Sequence, residues 1–260
     1  MQESDISWTD ATWNPTHGCS RASAGCDNCY AEQISRQYGH TDKPWTREHA
    51  QENVSEKPEK LDEPLEWSPP SKIFVDSMSD LFHSAVSEAF IRDVFRVMRQ
   101  CPEHVFQVLT KRPGRAAYME LSWPENVWIG TSVEDDRVTA RIDQLVDVPA
   151  TTRFVSFEPL IGPVGEVDLR KVDWAIVGGE SGPDADRRDM EHQWARDILR
   201  QCRRDDVAFY FKQSSGRHPE TGTSLTVKND DYGVFEQREI RELPELPTST
   251  RRARKKEATA

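Results

Sequence analysis

The stretch Val127-Trp128-Ile129-Gly130-Thr131-Ser132-Val133-Glu134-Asp135 is a short apolar run that gives way to polar residues. The same pattern recurs along the chain, and amphipathic stretches with apolar residues three or four apart lie between the runs. This alternation is typical of βα units and a parallel sheet. The predicted strands are Thr9–Asn14, Lys72–Asp76, Val105–Thr110, Val127–Thr131, Thr152–Phe157, Trp174–Val177 and Val207–Phe211, and the predicted helices are Ser87–Cys101, Arg137–Leu145 and His192–Arg203.

These units predict an α/β fold, an open or partial (βα)6-type TIM-like barrel of parallel strands over residues 1–215. Residues 39–71 are rich in Pro, Glu and Lys and are predicted to be an insertion that lies over the barrel. Residues 216–260 are predicted to form a polar C-terminal extension, with a weak hairpin around Leu225–Val234 and a disordered basic tail at Arg251–Lys256.

Composition limits the class of protein. No apolar run approaches the roughly 20 residues that span a bilayer, so we expect no membrane association. The acidic amino terminus lacks the apolar stretch of a signal peptide, and five cysteines are an odd number, so we expect a cytoplasmic protein without a disulfide framework. A net charge of −11 argues against a wholly basic nucleic-acid-coating protein, although a local basic cleft stays compatible with it.

Three cysteines, Cys19, Cys26 and Cys29, lie within eleven residues after the first predicted strand. Structural zinc normally takes four protein ligands and a disulfide takes cysteines in pairs, whereas three thiolates suit a [4Fe-4S] cluster with one open iron. The open iron could bind the amino and carboxylate groups of S-adenosylmethionine, and one electron would then cleave the sulfonium to release a 5′-deoxyadenosyl radical. A zinc site completed by His17 is the alternative, and Cys101 and Cys202 are predicted to be buried core residues.

Polar residues follow the predicted strands, at ends that meet on one face of a parallel barrel. We expect Glu134, Glu158 and Lys111 to act in catalysis, with the two carboxylates as ribose ligands or as a general acid or base. Lys111, Arg112 and Lys212 would line the mouth with positive charge. Helix capping, or pairing of these opposite charges, is the alternative. Trp8, Trp13, Trp45 and Trp67 could stack nucleobases or, alternatively, pack a loop down.

Several of these stretches resemble known families. A three-cysteine loop after the first strand of a partial barrel is similar to the radical S-adenosylmethionine superfamily. The chain more closely resembles a phage and prokaryotic family of unassigned function, the gp thirty-seven and gp sixty-eight type, from about residue 6 to 215. That resemblance is carried by Thr12–Pro15, Gly18-Cys19, Gly25–Ala31, Phe74–Phe82, Leu109–Pro113, Ile129–Glu134, Phe154–Leu160, Val177–Gly182 and Phe211–Gln213.

The chain departs from the common superfamily pattern in two ways. Its cysteines are separated by six and two residues instead of three and two. The two glycines and glutamate that normally follow the second strand follow the predicted sixth strand here, and Asp76-Ser77 hold the second-strand place. On the resemblance we expect cofactor contacts from Asp76, Ser77, Ser132, Glu158, Gly178, Gly179, Glu180 and Lys212.

The sequence therefore favours a radical S-adenosylmethionine-type enzyme that takes electrons from a flavodoxin or ferredoxin and acts on a nucleic acid or nucleotide. One alternative is a non-catalytic nucleic-acid-associated protein whose cysteines hold zinc or a structural cluster. A weaker alternative is a phage accessory protein built on a former enzyme barrel.

Overall fold

The computed structural model describes residues 2–228 and 234–244. Its main feature is an eight-stranded sheet in which seven neighbouring strands run parallel. With strands numbered in chain order, these are β2 (Ala11–Trp13), β5 (Lys72–Val75), β6 (Val105–Thr110), β7 (Val127–Ser132), β8 (Thr152–Phe157), β9 (Trp174–Gly178) and β10 (Ala208–Gln213). All seven predicted strands are confirmed, and the first is shorter than predicted.

The two outermost parallel strands, β2 and β10, pair with other segments and not with each other. The parallel strands therefore form a half-barrel and not a closed barrel. Strand β1 (Gln2–Glu3) pairs antiparallel with β2. At the opposite edge, Ile240 O accepts a hydrogen bond from Phe211 N at 2.7 Å, and Glu242 N donates to Phe209 O at 3.0 Å. The α/β half-barrel is thus confirmed, whereas the (βα)6 detail of the prediction is not.

Helices connect most of the parallel strands on the outer face. They are α1 (Tyr30–Gln37), α2 (Ala50–Asn53), α3 (Glu88–Gln100), α4 (Pro113–Tyr118), α5 (Ala140–Val146) and α6 (His192–Asp205). Ser87 caps α3, because its hydroxyl accepts a hydrogen bond from Phe90 N. The helix predicted at Arg137–Leu145 is instead divided into a 3₁₀ turn at Asp136–Val138 and α5, and Asp135 caps that turn through Arg137 N.

The sheet curls, and one tryptophan shows by how much. The Trp8 ring centroid lies 4.9 Å from that of Phe74 on β5 and 5.9 Å from that of Trp174 on β9, although β6, β7 and β8 separate those strands. A single side chain can reach both only if the inner face is concave. Around Trp8 the amino-terminal half of that face is filled by an apolar plug, which consists of Trp8, Phe74, Trp128, Phe154, Trp174, Ile176 and Tyr210.

The insertion packs against the start of the barrel. Its short strand β4 (Ser55–Glu56) pairs antiparallel with β3 (Thr16–His17), and Trp13 Nε1 donates to Lys60 O at 2.8 Å. Trp8, Trp13 and Trp45 are buried and Trp67 is partly buried against the core. Packing therefore accounts for these tryptophans and leaves their faces unavailable for nucleobases. Trp8 lies in the plug, away from the insertion.

The C-terminal extension contains the predicted hairpin in part. Strands β11 (Leu225–Lys228) and β12 (Phe235–Arg238) pair antiparallel. The connection at residues 229–233 and the predicted basic tail at Arg251–Lys256 lie outside the described residues. None of the described helices combines the length and apolar character needed to cross a membrane.

Candidate cofactor site at the cysteine loop

The three cysteines lie on one loop at the carboxyl edge of the first parallel strand. The loop leaves β2 and β3, makes a 3₁₀ turn at Ala24–Cys26, and ends at Cys29, the N-cap residue of α1. All three thiols are free and half-buried. Cys26 is near enough to both Cys19 and Cys29 to contribute to the raised pKa of each thiol. The loop therefore gathers three unlinked thiols at the mouth of the half-barrel.

Close backbone approach fixes where this loop begins. Gly18 has a φ of +82°, and a Cβ there would lie 1.9 Å from Asn53 O of the insertion. Gly18 N donates to Met78 O at 3.1 Å, and Ser79 Oγ donates to Gly18 O at 2.7 Å. Only glycine meets both the left-handed conformation and this contact. The insertion and the loop after β5 thus both contact Gly18, the residue that precedes Cys19.

Arg112 holds the Cys19 side of the loop. Its guanidinium donates to Cys19 Sγ at 3.6 Å and to Ser20 O at 2.8 Å, and forms an ion pair with Asp80 at 2.7 Å. Burial, and then the negative charge of Asp80, raise the pKa of the Cys19 thiol to about 12, although Arg112 opposes that shift. Burial likewise raises the pKa of Cys29.

Ser20 and His83 form a pair that resembles a catalytic dyad but has the wrong proton arrangement. His83 Nε2 lies 2.8 Å from Ser20 Oγ, and His83 Nδ1 accepts from Ala85 N at 3.0 Å. Because Nδ1 is an acceptor, Nε2 carries the proton and donates to the serine. Burial and the charge of Arg112 lower the pKa of His83 to about 4. The imidazole is therefore a neutral donor that orients Ser20, as is fitting for a structural role.

Glu134 holds the middle of the loop. Ser23 Oγ donates to its carboxylate at 2.9 Å, and the same carboxylate pairs with Lys111 Nζ at 2.8 Å and Arg141 Nη1 at 3.1 Å. Burial alone would raise the pKa of Glu134, but the two cations outweigh it and lower the pKa. A Cβ at Gly25 would lie 2.3 Å from Glu134 Cγ. Glu134 is thus an anion in contact with the loop, with Lys111 as its partner.

Glu180 and Arg188 hold the far side of the loop. Glu180 Oε2 accepts from Asn28 Nδ2 at 3.1 Å, and its carboxylate forms an ion pair with Arg188. Arg188 also donates to Ala24 O at 2.9 Å. Burial would raise the pKa of Glu180, but the hydrogen bonds from Arg188 and Asn28 lower it. Glu180 therefore contacts Asn28, one of the two residues between Cys26 and Cys29.

Four of the predicted cofactor residues lie at or near the carboxyl ends of their strands, beyond the plug. Ser132 and Gly178 follow plug residues of their own strands at even spacing and so lie on the same face, whereas Glu158 follows the end of β8 and Lys212 lies at a register shift in β10. Lys212 Nζ lies 3.4 Å from Glu158 Oε1, and a Cβ at Gly178 would lie 2.3 Å from that oxygen. These residues form a polar rim. The alternative that opposite charges pair with each other is met by two ion pairs, Lys111–Glu134 and Lys212–Glu158.

Tyr30 connects this rim to the cysteine loop. Tyr30 is 50% exposed, but desolvation of its hydroxyl, and then the charges of Cys29 and Glu158, raise the pKa of the phenol. Tyr30 Oη donates to Ser77 O at 2.7 Å, and Ser77 Oγ donates to Asn14 Oδ1 at 3.1 Å. Cys29, Glu158 and Ser77 therefore all face one hydroxyl at the mouth.

Two predicted cofactor residues, Asp76 and Gly179, are in close contact with other residues of the chain. Asp76 is buried, has a φ of +61°, and accepts hydrogen bonds from Thr16 N at 3.0 Å and Thr16 Oγ1 at 2.8 Å. Burial, and then the nearby charge of Asp80, raise its pKa to about 8. Gly179 lies against Ser215, whose N would be 2.3 Å from an added Cβ.

Within the described residues, no three His, Cys, Asp or Glu side chains are gathered closely enough to hold a metal ion. His17, the alternative zinc ligand, lies with its Nε2 at 3.1 Å from Ser35 Oγ and its ring against His40 and Trp45. Cys101 and Cys202 are buried in the core, as predicted.

A family model described as a protein of unknown function, DUF5131, matches residues 3–258. The chain belongs to that family. The match extends across the half-barrel, the cysteine loop and the C-terminal extension, so the loop is part of a chain matched along nearly its whole length. No curated protein and no solved structure matches the chain.

Sequence reasoning missed several residues that hold the site. Asp80 and Arg112 lie in strand-end stretches that were recognised as polar, but their roles as an ion pair beside Cys19 were not foreseen. Arg188, Arg141 and Ser20 carry no local signal, since their partners are distant in sequence or belong to other elements. The available signal was positional: Arg188 lies in the loop after β9, and Arg141 lies at the start of α5, the helix that follows β7.

Proposed function

We propose that the chain is an enzyme that holds a [4Fe-4S] cluster through Cys19, Cys26 and Cys29 and binds S-adenosylmethionine beside it. The single observation that carries the proposal is the placement of three free thiols on one loop at the carboxyl edge of the first parallel strand. In a parallel half-barrel that edge is where catalytic groups converge.

The arrangement of the donors favours a cluster over a single ion. A cube of iron and sulfide keeps its thiolate ligands further apart than one zinc ion does. Cys26 is near both of the other thiols, and no group of three ligands within the described residues surrounds a single-ion position. Arg112 donates to Cys19 Sγ at 3.6 Å and would thus orient that ligand.

The cluster, once bound and reduced by a ferredoxin or flavodoxin type of donor, would supply the electron that cleaves the sulfonium of S-adenosylmethionine. The chain's own residues hold the loop from three sides through Arg112, Glu134 and Glu180. The rim formed by Ser132, Glu158, Gly178 and Lys212 offers hydroxyl, carboxylate and ammonium groups on the inner face of the half-barrel. These groups suit the hydroxyls and the carboxylate of S-adenosylmethionine.

Anaerobic reconstitution tests the proposal. Wild-type protein and the Cys101→Ala control should each bind about four irons per chain, and Cys26→Ala should lose most of that iron. Reduction with dithionite in the presence of S-adenosylmethionine should then yield 5′-deoxyadenosine from the first two proteins only. One equivalent of zinc without iron in anaerobically purified protein would overturn the cluster. A fully loaded cluster that releases no 5′-deoxyadenosine would overturn the radical chemistry.

A further inference from the structure

A basic cavity lies on the Cys19 side of the loop. It has a volume of about 450 Å³ and is bounded by the cysteine loop, the insertion, the loops after β5 and β6, and α5. Of the nine described residues that line it, five are arginine or lysine and none is acidic; the five are Arg21, Arg47, Lys111, Arg112 and Arg141. This volume is within the range of pockets that bind small ligands.

Two of the five cations have a carboxylate of their own. Arg21 pairs with Glu32 at 3.2 Å, and Arg112 pairs with Asp80 at 2.7 Å. Both carboxylates lie behind the cavity wall, because Glu32 and Asp80 are buried. The guanidinium groups are therefore held in place from behind, which lowers the entropy lost when they bind a ligand.

Of the other three cations, two share one carboxylate and the third has none. Glu134 accepts ion pairs from both Lys111 and Arg141. Arg47 is exposed and forms no hydrogen bond or ion pair through its side chain with any described residue. Five cations are thus matched by three carboxylates, which leaves an excess of two positive charges in a chain whose net charge is −11. Such a local reversal of sign is typical of an anion-binding site.

The cavity suits a phosphomonoester in particular. A phosphomonoester carries about −1.5 to −2 charges at pH 7, which matches the excess, whereas each phosphodiester carries about one. Guanidinium groups bind phosphate oxygens with paired hydrogen bonds, and the Ser20 and Ser84 side chains line the same cavity. No aromatic residue is among the described residues that line it, so it offers no surface on which a base could stack.

We propose that this cavity binds the phosphomonoester group of a small-molecule substrate, next to Cys19. Arg112 joins the two sites, since it lines the cavity and donates to Cys19 Sγ at 3.6 Å. Assigning the bound molecule as a substrate rests on the proposed function, whereas the binding of phosphate does not. Arg47 provides the guanidinium that is free to form new bonds to the ligand.

Equilibrium binding to the full-length chain tests the proposal, with adenosine 5′-monophosphate as the phosphomonoester probe and adenosine as its phosphate-free match. Wild-type protein should bind the monophosphate at least tenfold more tightly than adenosine, and inorganic phosphate should compete with it. Arg47→Ala should weaken binding about tenfold, as expected for the loss of one charge-assisted hydrogen bond, and Arg47→Glu should weaken it further. Arg99→Ala removes an exposed arginine of α3 that also forms no side-chain ion pair with a described residue, and should change nothing.

Three results would overturn the inference: equal affinity for the monophosphate and adenosine, equal effects of Arg47→Ala and Arg99→Ala, or tighter binding of a single-stranded oligonucleotide that lacks a terminal phosphate. The last result would assign the cavity to a nucleic-acid backbone. The measurement is made on the protein as purified and again after anaerobic loading with iron and sulfide. Phosphate binding without any iron uptake would then refute the proposed function while leaving the cavity assignment intact.

Discussion

The two halves of the concave face are built from the same strands and have opposite characters. The amino-terminal half holds the plug, whose rings pack edge to face around Trp8. The carboxyl half holds the rim and the cysteine loop, where nearly every charge has a partner. On β10 the change occurs between Tyr210 and Lys212, which are two residues apart on one strand.

This difference separates stability from chemistry within one sheet. The plug excludes water from the amino-terminal half of the concave face and contributes apolar burial. The rim contributes polar groups that ion pairs already hold in place. Substitutions in the plug should therefore lower the free energy of unfolding. Substitutions in the rim should leave it nearly unchanged.

The largest effect is expected at the centre of the plug. Trp8→Ala removes a buried ring that contacts residues of β5, β8 and β9, and should lower the free energy of unfolding by about 3–5 kcal/mol in denaturant titrations. Trp8→Phe should cost less, because it keeps an aromatic ring and removes an indole N–H that has no hydrogen-bond partner within the described residues. Tyr118→Ala, at a side chain that is 86% exposed, should cost less than about 0.5 kcal/mol. Equal losses for Trp8→Ala and Tyr118→Ala would refute the plug.

Asp76 sharpens the comparison. It follows the plug residue Phe74 by two positions, but it accepts hydrogen bonds from Thr16, which precedes the cysteine loop. Its pKa of about 8 in the folded chain is above the ordinary value of 3.8. Between those pH values the folded chain retains a proton that the unfolded chain has released. The free energy of unfolding should therefore fall as the pH rises from about 4 to about 8, by at most about 1.4 kcal/mol per pH unit.

Asp76→Asn should remove this contribution, and denaturant titrations from pH 5 to 9 measure the difference between the two proteins. Asparagine tolerates the left-handed backbone, and its amide can keep both hydrogen bonds to Thr16. Thr16→Ser keeps the same partners and should retain the wild-type slope. The comparison with wild type is needed because His83, with its pKa lowered to about 4, contributes a slope of opposite sign below about pH 6.5. Identical slopes for wild type and Asp76→Asn would contradict the prediction.

The division into plug and rim was only partly predictable from the sequence. Local alternation indicated all seven parallel strands and placed the polar residues at their carboxyl ends, because strand periodicity is a short-range property. It also placed the three cysteines at the mouth. These features depend on neighbours in the chain, so a single sequence suffices for them.

The pairing of charges was not predictable, because it depends on long-range contacts. Glu134 and Glu180 appeared as candidate catalytic or cofactor residues, yet each binds the cysteine loop through partners such as Ser23, which is 111 positions from Glu134. Trp8 gave no sign that it would contact Trp174. The (βα)6 detail of the predicted fold is not confirmed, although all seven predicted strands are present in the sheet.

The smallest effect is expected at Lys212. Its ion pair with Glu158 spans 3.4 Å at side chains that are 18% and 17% exposed, and Glu158 also accepts a hydrogen bond from Ser156 Oγ at 3.0 Å that does not involve the lysine. Lys212→Ala should therefore change the free energy of unfolding by about 1 kcal/mol or less. Tyr210→Ala is the matched substitution two residues earlier on the same strand, and should cost about 3 kcal/mol or more because it opens a cavity in the plug. Denaturant titrations of the two variants give the free energy of unfolding on either side of the boundary between plug and rim. If both substitutions cost the same, the concave face is not divided at this point, and the rim contributes to stability as much as the plug does.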